Sequence, residues 1–260
     1  MKQMKPEGKV ARHNKILGSN IVITGSSGGL GSHLVKHFAA AGANVYGVDL
    51  VTPKHEVEGV QPITADLSKA DGVRYAREFL STRVAGLEIL INCAGQFHVD
   101  PVSENAWETA DKLWKANVMT TIMFTLQLEA LLASGSNPLV VNVASTDGVV
   151  ASGGQDNEIG VCNDILYAVS KGAVVTFTRA LAMKWAPLSI RVNAVCPTIF
   201  PSPMTDSLLT IAGKEQELAG RIPLRRLCQT QDIVEAVDSI YPMLMTTGHL
   251  FPIDGGYLCQ

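Results

Sequence analysis

Ile21-Val22-Ile23-Thr24-Gly25-Ser26-Ser27-Gly28-Gly29-Leu30-Gly31 is the stretch that decides the fold. Three β-branched residues in a row favour a strand. The glycine-rich turn ends it. Leu34, Val35, Phe38 and Ala39 then repeat at helical spacing as far as Gly42. Asn44-Val45-Tyr46-Gly47-Val48-Asp49 follows as a second strand. Strand, glycine turn, helix and strand within about 30 residues make a βαβ unit.

A tight turn from a strand into a helix aims free backbone N–H groups at one point. The helix dipole adds partial positive charge there, so the turn favours a pyrophosphate. Gly25 allows the turn, Gly29 lets phosphates approach the backbone, and Gly31 lets helix and strand pack closely. Ser27, Gly28 and Leu30 complete the expected phosphate cradle. The spacing is G-x-x-x-G-x-G, not the commoner G-x-G-x-x-G.

Outward from this unit the alternation continues. Pro62 to Asp66, Leu87 to Cys93, Leu139 to Val143, Ile190 to Val195 and Leu250 to Ile253 read as strands. Val73 to Leu80, Trp107 to Ala133, Tyr167 to Trp185 and Asp232 to Met243 read as helices. Strands with almost no polar interruption are expected where both sheet faces are covered. The spacing predicts an α/β fold, a doubly wound parallel sheet with helices on both faces.

At 260 residues and 27.7 kDa the chain reads as one domain over 17–260, preceded by a basic extension over 1–16. That extension lacks an apolar core and is not a secretory signal. A net charge of −3 and a pI near 6.1 leave no basic field for a nucleic-acid backbone. The apolar run Thr121 to Ala133 is too short for a bilayer and carries Gln127 and Glu129. Five cysteines without metal-type spacing read as reduced thiols of a cytoplasmic protein. Nothing predicts a metal: His33 and His37 lie four apart but lack a flanking carboxylate, and read as an exposed pair.

Asp49 ends the second strand, where a carboxylate accepts hydrogen bonds from adenosine ribose hydroxyls and repels a 2′-phosphate. Neither the glycine loop nor residues 50–53 hold Lys or Arg. NAD(H) is therefore expected over NADP(H). The same loop also spells G-x-S-x-G, the nucleophile elbow of hydrolases. That alternative makes Ser27 an esterase nucleophile, with Asp232 or Asp238 and His249 as partners.

Tyr167 and Lys171 lie four apart on one helix face. A phenol near pKa 10 is a poor base at neutral pH, and a neighbouring ammonium favours its phenolate. Such a tyrosine exchanges a proton with an alcohol or carbonyl while hydride moves to or from a nicotinamide. Ser145 follows the strand 139–143, at the carboxyl edge where open α/β sheets bind ligands. Asn117 sits within the predicted long helix, where asparagine has low propensity.

These motifs resemble the short-chain dehydrogenase/reductase family, in its compact single-domain branch with a Rossmann fold. Thr24-Gly25-x-x-x-Gly29-Leu30-Gly31 resembles the family's cofactor loop, and Ala65-Asp66-Leu67 its adenine-contact segment. Asn92-Cys93-Ala94-Gly95 is similar to its N-N-A-G element, and Asn117, Ser145, Tyr167 and Lys171 follow the order of its catalytic tetrad. Arg191 to Pro197, Pro223 to Leu227 and Asp254-Gly255-Gly256 resemble further elements.

The resemblance implies roles. Tyr167 is the general acid/base and Lys171 lowers its pKa while binding the nicotinamide ribose. Ser145 holds the substrate oxygen, and Asn117 anchors a water in a proton relay. Asp66, Leu67, Asn92, Ala94 and Gly95 line the cofactor, and Pro197, Ile199 and Ser202 grip the carboxamide. Met204 and Leu208 resemble the apolar side of a substrate lid, and His98, just after the Asn92–Gly95 element, reads either as a pocket residue or as part of an ordinary surface loop. The implied activity is NAD(H)-linked interconversion of a secondary alcohol and a ketone by a homotetramer or homodimer, with a non-catalytic dinucleotide sensor as alternative. The helices 107–133 and 167–185 are expected to form one interface.

The chain departs from the family at several points. Pro197-Thr198 stands where Pro-Gly is usual, Ala144 replaces a second serine, and Arg225 and Cys228 replace glycines. Ser145 and Tyr167 are 22 residues apart, a longer gap than usual. The added segment, Gly153 to Gly160, is expected to overhang the substrate pocket and narrow substrate choice.

Overall fold

The computed structural model of the chain describes residues 16–53, 57–97, 106–150 and 165–259. His98, the segment 153–160 and the basic extension up to residue 15 lie outside them.

Strand β1, Asn20–Thr24, is fully buried over its last four residues and is an interior strand, third from one edge, of a seven-stranded sheet. The other strands are β2 (Asn44–Asp49), β3 (Val60–Thr64), β4 (Ile89–Asn92), β5 (Leu139–Val143), β6 (Arg191–Pro197) and β7 (Leu250–Ile253). Their order is β3-β2-β1-β4-β5-β6-β7, with every pair parallel. The chain therefore reverses direction across the sheet between β1 and β4, which opens a crevice at their carboxyl ends.

Strand alternation sorts the core into two layers. Ile21, Ile23, Ile89, Ile91 and Val195 face one side, against Leu34 and Phe38 of helix α1 (Gly29–Ala40). Val22, Leu90, Val140 and Val192 face the other side, against Leu80 of α2 (Ala70–Ser81) and further helices named below. Pro62 is tolerated in β3 because that strand is at the edge, where one missing N–H breaks no second ladder.

The segment predicted as one helix from Trp107 to Ala133 is broken. It runs as α3 (Ala106–Leu113), a π-helical turn over Trp114–Met119, α4 (Thr120–Gln127) and α5 (Glu129–Ala133). The wide turn turns Asn117 inward, where it is 1% exposed. Hydroxyls of Thr120 and Thr121 donate to the carbonyls of Lys115 and Asn117 and help satisfy the loosened ladder.

Helix α6, Ile165–Trp185, begins two residues before its expected start and packs along β6. By length and composition Ile165–Leu188 could cross a membrane. Here Leu181, Ala182 and Trp185 fill the second core layer. The short helices α7 (Asp206–Leu209) and α8 (Lys214–Gly220) follow β6, and α9 (Thr230–Ile240) covers the first layer.

His33 and His37 do not form an exposed pair. His33 is exposed, but His37 is half-buried with Nε2 3.6 Å from Asp238 of α9. Arg225, where a glycine was expected, keeps the glycine conformation at φ 55°, and its guanidinium reaches the Gly220 carbonyl. Thr198 has no such strain, so the Pro-Thr departure leaves the backbone beside β6 intact.

Candidate active site

A cavity of about 660 Å³ opens at the carboxyl ends of the strands. One end is built by the glycine loop. Gly25 has φ 67°, and a Cβ there would stand 2.8 Å from the Ala94 Cα. At Gly31 a Cβ would overlap the Gly25 carbonyl, so the loop closes only with glycine at both positions. Thr24 Oγ1 accepts from the Cys93 and Ala94 N–H groups at 3.1 and 3.0 Å and ties β1 to the end of β4. No side chain caps the start of α1. Its first N–H groups therefore face the cavity without an internal competitor, which fits an anionic pyrophosphate.

Asp49 sits beside this loop. Its Oδ2 accepts from the Ser27 N–H at 2.9 Å and its Oδ1 from the Val51 N–H at 3.1 Å. These bonds fix the carboxylate at the cavity wall, one strand from the glycine turn. Asp66 also lines the cavity, but Ser68 takes one oxygen and Lys69 the other, and the Ser68 hydrogen bond holds its pKa below the usual carboxylate value. Leu67, Ala94 and Gly95 complete this wall.

Tyr167 and Lys171 lie at the other end. Lys171 is buried and donates to the Val143 carbonyl at 2.8 Å. Its Nζ is 5.7 Å from the Tyr167 ring centroid, and Phe97 meets that ring edge-on at 4.9 Å. Asn117 braces the helix that carries both. Its Oδ1 accepts from the Gln96 N–H at 2.7 Å, and its Nδ2 donates to the Gln96 carbonyl at 3.0 Å and to Ser170 Oγ at 2.9 Å. Ser145 Oγ donates to Asp147 Oδ2 and accepts from the Asp147 N–H, both at 3.1 Å.

Burial pushes Lys171 down from 10.5 to about 8. A lysine that loses its proton more readily when folded destabilises the fold in full below pH 8. The cost fades as pH rises from about 8 to 10.5, where only the unfolded chain still holds the proton. Lys171→Met removes this dependence. Its stability relative to the parent protein should fall by about 3 kcal/mol between pH 7 and pH 10.5, at ~1.4 kcal/mol per unit. Urea unfolding at both pH values reads this, and an equal difference at both would contradict it.

Gly25, Ser27, Gly28, Gly29, Leu30, Gly31, Asp49, Ser145, Tyr167, Lys171, Pro197, Ile199, Ser202, Met204 and Leu208 all line the one cavity. Two predicted residues do not. Asn117 is packed behind the wall. The Asn92 side chain points into the core, donating to Thr125 and Asn142 at 2.8 Å each. Strand alternation carried that signal, because Asn92 shares a face with Leu90. The Ser202 hydroxyl is held by Thr205 Oγ1 at 3.1 Å. Phe97, Asp147, Lys214, Arg221 and Tyr257 line the cavity without having been singled out in the sequence.

The esterase alternative finds no triad. Ser27 Oγ donates to the Val51 carbonyl, Asp232 pairs with Arg226, Asp238 lies against His37, and His249 stacks edge-on against Phe251.

Comparison with known proteins shows the family and the fold. The family profile described as short chain dehydrogenase matches residues 19–211. The L-xylulose reductase of Bos taurus is 30% identical over 252 residues, spanning 94% of this chain and 98% of that protein. The 3-ketoacyl-(acyl-carrier-protein) reductase from Brucella melitensis, complexed with NADH, is 28% identical with a TM-score of 0.79, covering 93% of this chain and 99% of that one. The Pseudomonas aeruginosa RhlG/NADP complex is 27% identical with a TM-score of 0.80, covering 93% and 96%. Nicotinamide dinucleotides of both kinds thus occur among similar structures.

Proposed function

The chain belongs to the short-chain dehydrogenase family, and on that premise we propose that it is an NAD(H)-dependent oxidoreductase interconverting a secondary alcohol and a ketone, with Tyr167 as general acid/base. The observation that carries this reading is a convergence. The uncapped start of α1, the Asp49 carboxylate and the Tyr167–Lys171 pair line one cavity.

The residues divide the work by position. The N–H groups at the start of α1 hold the pyrophosphate. Asp49, fixed by Ser27 and Val51, takes the ribose hydroxyls and disfavours a 2′-phosphate, which supports NAD(H) over NADP(H). Pro197, Ile199 and Ser202 line the same cavity and would grip the carboxamide. The bound dinucleotide supplies a hydride acceptor or donor. Lys171, charged below about pH 8, favours the Tyr167 phenolate. Tyr167 Oη takes the carbinol proton during oxidation and returns it during reduction. Ser145 Oγ donates to the substrate oxygen. Asn117 holds the Gln96 and Ser170 positions, so its side chain acts by positioning.

The reading also makes the protein a cytoplasmic homodimer or homotetramer. Met123 and Leu126 of α4 and Val169 and Met183 of α6 leave apolar side chains exposed on the helices expected to pair. Sedimentation velocity at a mass no greater than 27.7 kDa would contradict assembly.

The test of function is NADH formation at 340 nm over a panel of secondary alcohols, and NADH consumption with the matching ketones. Turnover supports the enzyme reading. Cofactor binding with no turnover on any member would favour the non-catalytic sensor.

A further inference from the structure

Among the described residues, Asp147 is the one acidic side chain at the reacting end of the cavity that the proposed chemistry leaves without a task. It lies in a short 3-10 turn, Thr146–Gly148, directly after Ser145. That turn is pinned. A Cβ on Gly148 would stand 2.6 Å from the Lys171 backbone, so the turn lies flat against α6. The carboxylate is half-buried, and Oδ2 takes the Ser145 hydroxyl proton at 3.1 Å. Its Oδ1 accepts no hydrogen bond among the described residues.

This arrangement creates a conflict on substrate binding. Ser145 has one proton. When that proton turns to the substrate oxygen, Asp147 loses its donor. A half-buried carboxylate stripped of a donor is costly, and a substrate that replaces the donor removes the cost. Oxygens on adjacent carbons lie about one hydrogen-bond length apart, roughly 3 Å. The spacing of Ser145 Oγ and Asp147 Oδ2 matches it. The reacting oxygen then accepts from Ser145 while a neighbouring hydroxyl donates to Asp147.

We propose that Asp147 is a specificity-determining residue that selects a neutral substrate bearing a second hydroxyl beside the reacting carbinol, a vicinal diol or polyol. The assignment rests on the oxidoreductase reading above and names its substrate class. Charge narrows the choice. Asp147 repels a carboxylate at the adjacent carbon. Lys171 lines the same cavity and opposes a cation, as does the one positive charge left over where Lys214 and Arg221 share Glu217. A hydroxyl satisfies both conditions.

The probes are trans-1,2-cyclohexanediol, cyclohexanol and trans-2-aminocyclohexanol, each oxidised with NAD. The expected kcat/KM for the diol exceeds that for cyclohexanol by about 10- to 100-fold, the range of a hydrogen bond to a charged group. Asp147→Leu brings the ratio to within about threefold of one. Asp147→Asn, which keeps an oxygen acceptor, retains part of the preference and controls for folding. Equal losses on diol and cyclohexanol in Asp147→Leu would mean that Asp147 only orients Ser145, and would overturn the proposal. So would a preference for the amino alcohol. If no alcohol is turned over, the oxidoreductase reading fails by itself. Dissociation constants of the diol and cyclohexanol for the enzyme–NAD complex, from competition NMR, then decide. A diol preference lost in Asp147→Leu supports the proposal, and equal binding overturns it.

Discussion

Tyr167→Phe is expected to lower kcat for alcohol oxidation by about 10²–10⁴-fold, the contribution of a positioned general base. The substitution removes one oxygen and keeps the ring, so the edge-on contact with Phe97 at 4.9 Å survives. Lys171 keeps its bond to the Val143 carbonyl and its place beside the ring. NADH affinity should therefore change by no more than a few-fold. Stopped-flow turnover beside fluorescence titration of NADH separates the two effects. A parallel loss of binding would mean that Tyr167 acts in holding the cofactor. A retained kcat would remove it from the chemistry.

Asp49→Asn carries the second large effect. Two unit charges 4 Å apart interact by about 4 kcal/mol at an effective dielectric near 20. A 2′-phosphate against the Asp49 carboxylate should thus cost NADP about 10²–10³-fold in kcat/KM relative to NAD, at ~1.4 kcal/mol per decade. Asparagine keeps an oxygen for the Ser27 N–H, so the loop bond at 2.9 Å persists. The charge goes, and the NAD/NADP ratio should fall to within about tenfold of one. Parallel kinetics with both cofactors measure it. A parent protein that uses NADP as well as NAD would contradict the role given to Asp49.

The parts of this site that were legible in the sequence are those set by local geometry. The glycine turn declares itself because Gly25 and Gly31 have no room for a Cβ. Tyr167 and Lys171 declare themselves because four residues make one helical turn and a little more. The alternation of strands and helices declares a parallel sheet covered on both faces, while the order of its strands emerges only in the fold. The rest depends on contacts between distant segments. Hydrophobic spacing runs on through 114–119, yet Asn117 widens the helix there to reach Gln96 and Ser170. Phe97 has no motif of its own and gains its place only when β4 and α6 come together. Asp147 stands two residues after Ser145, but only the folded turn brings its carboxylate to the serine hydroxyl. Asn92 belongs to a cofactor motif in the sequence and to a buried amide network in the fold.

The central claim is that hydride leaves a carbinol carbon for NAD while Tyr167 takes the proton. The most direct test supplies secondary alcohols deuterated at the carbinol carbon and weighs the reduced cofactor by mass spectrometry. The account predicts NADH carrying one deuterium from the parent protein and almost none formed by Tyr167→Phe. Reduced cofactor without deuterium, or labelled cofactor formed equally by both proteins, would contradict it.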